Sequence, residues 1–149
     1  MAPLAKEIIA SIERGTVFFY WDNIANRDGS NSKKQRYFIV LNSSPKTDDF
    51  IVLATVTSKI AGRLEFVKKI SGDTSTLVFI TPTDFPRLTV PSVINCNQVY
   101  PVTLKNLIKK VGNGGIMFPE KIPKLIMSAI ISGVMKSNQV EGEYKSIIL

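Results

Sequence analysis

The sequence predicts a mainly β domain, a small barrel or curled antiparallel sheet with flanking helices. Three observations carry that expectation. Long β-branched and aromatic runs follow one another with no helical crossover between them, which argues against a doubly wound fold. Helical apolar spacing is confined to the two ends of the chain. The chain has 149 residues, 44% of them hydrophobic, enough for one domain with its own core. Residues 1–149 are read as that single domain, with a helical extension at 1–13 and a tail at 137–149.

Leu4, Ile8, Ile9 and Ile12 recur at helical spacing, so residues 3–13 are expected to form a short amphipathic helix, with Pro3 suited to its first turn. Arg14-Gly15 ends it, and residues 16–21 read as the first strand. Residues 22–34 read as a long polar loop with a mobile Gly-Ser-Asn-Ser centre. A hairpin follows, strands 35–42 and 50–58, joined by turn-forming residues 43–49. Antiparallel pairing brings Arg36 and Thr57 to one rim of the sheet. A guanidinium beside a hydroxyl is one way to build a phosphate site and also an ordinary way to finish a strand.

Beyond a break at Ile60-Ala61-Gly62, residues 63–68 alternate charged and apolar side chains like a half-exposed strand. Residues 76–81 read as a largely buried strand. Three prolines keep 82–91 out of any central strand, and 92–100 returns to extended structure. The period then changes. Thr103 is a good N-cap for a helix over 104–111, which Gly112-Asn113-Gly114-Gly115 stops. Ile122, Leu125, Ile126, Ala129, Ile130 and Gly133 make one face of a second helix over 120–136, with Glu120 at its positive end.

The chain carries 19 basic and 12 acidic residues, a net charge of +7. Residues 27–69 hold a basic surplus of five and residues 105–124 a surplus of four, leaving the remainder at −2. Such clustering points to a polyanionic partner, nucleic acid first; the alternative is a solvated basic surface. There is no histidine. Zinc sites of the usual kinds, serine and cysteine triads and histidine-pair ribonuclease chemistry are therefore excluded. Proton transfer is left to carboxylates, hydroxyls, amines or water. The one cysteine, Cys96, excludes an internal disulfide, fits a reducing compartment, and reads as a core thiol among apolar neighbours. The longest apolar stretch, residues 125–135, is short for a bilayer and broken by Ser128, Ser132 and Gly133. With no signal pattern at the start, the expectation is a cytoplasmic protein with no membrane segment.

From Arg14 to Ser137 the chain resembles the PemK/MazF toxins of type II toxin–antitoxin systems. Arg14-Gly15-Thr16-Val17-Phe18-Phe19 looks like that family's opening strand. Arg36 with the run 38–41, the strand 51–58 ending in Thr57-Ser58, the strand 76–81 and the segment 92–99 follow in the family's order. Two positions differ: Tyr37 stands where the family has proline, and Asn97 where it has an acidic residue. The chain also has extra residues before Arg14, between Thr57 and Thr76, and after Ser137.

The resemblance implies an SH3-like barrel with a carboxy-terminal helix, usually a homodimer. It further implies a metal-independent endoribonuclease acting on single-stranded RNA, without a cofactor, and silenced by a cognate antitoxin. On that basis Arg36 is the expected stabiliser of an anionic phosphorane, with Thr57 and Ser58 holding the phosphate or the nucleophilic hydroxyl. Asp22 is named as a general base, or else as a cap of the loop. Trp21 or Tyr20 would stack on a base, at most one of them, since adjacent strand positions point opposite ways, and Arg27, Lys33 and Lys34 would track phosphates. The same fold also resembles the gyrase-poisoning CcdB toxins, and a nucleic-acid-binding module without catalysis is the third reading.

Overall fold

The computed structural model describes residues 3–25, 30–70 and 72–149. Its elements are α1 (Ala5–Ser11), β1 (Thr16–Ala25), β2 (Asn31–Val40), β3 (Ile51–Thr57), α2 (Ile60–Lys69), a 3₁₀ turn (Thr74–Thr76), β4 (Leu77–Ile80), β5 (Ser92–Asn95), β6 (Tyr100–Val102), α3 (Leu104–Gly112), β7 (Ile116–Lys121), α4 (Lys124–Lys136) and α5 (Gly142–Ile148). The strands form one curled, antiparallel half-barrel in the order β4-β5-β3-β2-β1-β7, with β6 also on β3.

β3 is the centre. Its sequence, Ile-Val-Leu-Ala-Thr-Val-Thr, is β-branched nearly throughout, and all seven of its residues are buried. A strand covered on both faces needs such a continuous apolar run. Its neighbour β2 alternates instead. Ile39 shares one core with Val17, Val52 and Ile94, under Met127, Ile130 and Val134 of α4 and Ile148 of α5. Phe38 and Val40 face the opposite side with Phe18 and Leu53, under Ile8 of α1 and Leu107 and Val111 of α3. The sheet is thus packed on both faces. The β2–β3 register is held by Asn42: its Oδ1 accepts the Val52 N–H at 2.7 Å, and its Nδ2 donates to Asp48 and the Phe50 carbonyl at 3.0 and 2.7 Å.

The expected amino-terminal helix, central hairpin and Thr103-capped helix are present; Thr103 Oγ1 accepts the Asn106 N–H at 3.2 Å. The polar loop of 22–34 is not. β1 runs on to Ala25 and β2 starts at Asn31, so Asp22 stands opposite Lys34 and Asn23 opposite Lys33. The ribbon is held by the β1–β2 backbone ladder and tied to α3 through Asp22 and Lys110. Residues 63–68 belong to helix α2 rather than to a strand. Ile60, Leu64 and Val67 lie at helical spacing and pack on Leu77 and Val93. The extended stretch 92–100 is broken into β5 and β6 by a turn.

The carboxy-terminal end differs as well. β7 occupies Ile116–Lys121, so α4 begins at Lys124, after Pro123 at its N-cap, and Glu120 lies in a strand. Pro119 is tolerated there because β7 is an edge strand. The tail holds α5, whose Ile148 is fully buried, a contact worth ~1.5–3 kcal/mol by transfer. Arg14 secures it, donating to the carbonyls of Leu41 and Ile148.

Candidate nucleic-acid interface

Two residues beyond the Phe38–Thr55 pair stand Arg36 on β2 and Thr57 on β3. Both lie on the Phe38 side of the sheet, since positions two apart share a face. Here β3 parts from β2: Thr57 pairs with Val93 of β5, whereas β2 continues as a ribbon with β1. The gap between the diverging strands is a groove of about 500 Å³. Trp21, Lys33, Lys34, Arg36, Thr57, Ser58 and Lys59 all line it. The predicted rim thus borders a groove, and Lys33 and Lys34 of the ribbon line it as well. Arg27 lies outside the described residues.

Arg36 is half-buried, and its Nε is buried without a hydrogen-bond partner. Burial is the main force holding its guanidinium below the usual range; Tyr100 opposes this and Arg63 adds to it. An N–H removed from water with no acceptor costs ~1–3 kcal/mol. Burial first, then repulsion from Arg36, Lys59 and Arg63, also lowers the Lys34 pKa. Thr57 is buried, and its Oγ1 accepts the Lys59 N–H at 3.2 Å. Its own O–H remains available to donate. Ser58 is exposed beside it.

Tyr20 and Trp21 point to opposite sides, as adjacent strand positions must. Tyr20 is buried and stacks on Phe38 with centroids 4.3 Å apart, whereas Trp21 is 50% exposed. Trp21 is therefore the one of the two that offers a free ring face to a base. Asp22 is not brought into the groove lining. Its Oδ1 accepts Lys110 Nζ at 2.7 Å and the Asn23 N–H at 2.9 Å, joining β1 to α3.

Tyr37 and Asn97 both have structural partners. The Tyr37 ring packs on Phe19 at 4.5 Å and Phe118 at 5.9 Å, and its hydroxyl donates to the Arg87 carbonyl at 2.8 Å. Arg87 in turn lies over Phe118 and forks onto Glu120. The tyrosine thus ties β2 to β7 and to the proline-rich segment. Asn97 is buried; its Nδ2 donates to Thr76 Oγ1 at 2.8 Å, and its Oδ1 accepts Ser137 Oγ at 2.8 Å. It locks the end of α4 to the turn before β4.

Three residues escaped the sequence reading. Lys59 follows the Thr57-Ser58 pair directly, and that adjacency could have flagged it. Arg63 lies four residues on, a helical spacing hidden by the strand assignment. Tyr100, which bears on the charge of Arg36, carried no signal in the sequence.

The sequence model of the family described as PemK-like, MazF-like toxin of type II toxin–antitoxin system matches residues 13–134. The crystal structure of MazE–MazF (Form-II) from Deinococcus radiodurans superposes with a TM-score of 0.50 at 12% sequence identity, over 83% of this chain and 91% of that one. At that identity the likeness is one of fold. No curated protein matches the chain significantly in sequence.

Proposed function

The chain belongs to the PemK/MazF-like toxin family of type II toxin–antitoxin systems, and from that premise we propose that it is a metal-independent endoribonuclease that cuts single-stranded RNA. The observation that carries this reading is the meeting of Arg36, Thr57 and an exposed Trp21 in one groove otherwise rich in lysine. Cations and hydroxyls are the donors that hold a phosphate directly.

The ribose 2′-hydroxyl attacks the adjacent phosphorus and gives its proton to water, a 2′,3′-cyclic phosphate forms, and the bond to the 5′-oxygen breaks as that oxygen takes a proton from water to leave as a hydroxyl. Charge accumulates on the non-bridging oxygens as the phosphorane forms. The Arg36 fork neutralises that charge from a fixed, partly desolvated position, where electrostatic stabilisation is strongest. Thr57 donates its hydroxyl to the same phosphate or to the nucleophilic oxygen, with Ser58 beside it, and Trp21 stacks on a flanking base. Lys33 and Lys34 follow the backbone. Asp22, held by Lys110, orders β1 against α3 rather than taking a proton. The proposed working state is a cytoplasmic homodimer silenced by a cognate antitoxin, as membership of the family supports.

The test is incubation of a long single-stranded RNA with the full chain in excess EDTA. Discrete fragments with cyclic-phosphate and 5′-hydroxyl ends are expected from the wild type and not from Arg36→Ala. Intact RNA with the wild type would reject the reading.

A further inference from the structure

α2 lies in the stretch between Thr57 and Thr76, where the chain has residues beyond the family pattern. Its Ile60, Leu64 and Val67 are anchored on Leu77 and Val93, so the helix is fixed against β4 and β5. The Arg63 N–H donates to the Lys59 carbonyl at 3.3 Å. That one-turn spacing puts Arg63 on the same side of the helix as Lys59, which lines the groove.

Two further observations connect Arg63 to the site. The Nε of Arg63, like that of Arg36, is buried with no hydrogen-bond partner. The charge of Arg63 also bears, less than burial does, on the titration of Arg36, Lys34 and Tyr100. No ion pair joins Arg36, Lys59 or Arg63 to a carboxylate among the described residues. Like charges held together by a rigid scaffold raise the energy of the free protein, and an anion relieves it. One phosphodiester carries a single negative charge, which Arg36 suffices to balance. The positive charge added by α2 exceeds what the scissile phosphate requires.

We propose that Arg63, supported by Lys59, binds the phosphate adjoining the scissile one, so that α2 extends the groove to a two-phosphate grip on RNA. The inference rests on the ribonuclease reading of the groove. An anchored second phosphate fixes the strand direction through the site and restrains the reacting phosphate in line. Arg63 is then a binding residue whose partner is a specific backbone position.

The experiment uses the full chain and an oligoribonucleotide centred on a site that the wild type cuts. Each phosphate flanking the scissile one is replaced in turn by an uncharged methylphosphonate. The wild type is expected to lose about tenfold in kcat/KM on one of these substrates, the scale of a lost charge-assisted hydrogen bond. Arg63→Gln should lose about as much on the unmodified strand, yet be insensitive to that same replacement, as a double-mutant cycle requires. Arg63→Lys, which keeps the charge, should recover part of the loss. The proposal is overturned if neither replacement affects the wild type, or if the replacement costs Arg63→Gln as much as it costs the wild type. A wild type that cuts no RNA overturns the ribonuclease reading and this inference together. A wild type that cuts while the coupling is absent removes only the inference.

Discussion

Arg36 holds its positive charge where burial and a neighbouring arginine both oppose it, and that tension has a kinetic consequence. A fork that donates two bonds cannot be replaced by a point charge. Arg36→Lys should therefore lower the single-turnover rate on a defined RNA about 10²-fold, and Arg36→Ala by up to ~10³-fold. KM should move much less. A lysine variant near the wild-type rate would mean that charge alone suffices. Cys96 offers a residue-scale test of the core. Burial pushes its thiol up from about 9 to about 12. The stability this contributes is fully present below pH ~9 and is lost as the pH climbs towards ~12, because the unfolded chain releases the proton first. Between those limits the loss amounts to ~1.4 kcal/mol per pH unit. Urea melts across that range should show this slope in the wild type and its reduction in Cys96→Ala.

The same thiol sets the fit of α4. A Cβ placed on Gly133 would lie 2.9 Å from Cys96 Sγ and 3.0 Å from the Ser75 carbonyl. Helix propensity favours alanine over glycine by ~0.5–1 kcal/mol, but the helix cannot back away without opening the core beneath it. Gly133→Ala should destabilise the fold by ~1–3 kcal/mol, the range for overpacking, and a chemical melt checks the sign. A stabilised variant would show that α4 is loosely seated. Gly133 was legible in the sequence only as part of an apolar helix face. What it touches is tertiary information. The same limit explains the misread elements. Arg63-Leu64-Glu65-Phe66 fits a strand period over four residues, and only the packing of Ile60, Leu64 and Val67 on two distant strands selects the helix. β7 was hidden by a glycine run before it and by Pro119 within it. The ribbon of β1 and β2 was hidden because most of its residues are polar and carry no strand-like apolar alternation.

At the scale of the molecule, the mainly β architecture and the Arg36–Thr57 rim were legible, because strand runs and turn residues are local signals. The placing of α3 beside the β1–β2 ribbon was not. Leu107 and Val111 pack against Phe18 and Phe38, and Lys110 reaches Asp22 on β1, the residue opposite Lys34. Lys105 and Lys109, exposed on α3, thus extend the field of the groove without lining it. Charges in that position accelerate encounter with a polyanion but do not touch the reacting phosphate. Lys105→Glu with Lys109→Glu should therefore lower kcat/KM for RNA several-fold at low salt while leaving kcat unchanged. The difference from the wild type should shrink as ionic strength rises from ~50 to ~200 mM, because exposed charges are screened over about a Debye length. Rates measured at saturating and limiting RNA across that salt range separate the two effects. A fall in kcat would place α3 within the catalytic groove, and a salt-independent loss would indicate damage to the fold instead of lost steering.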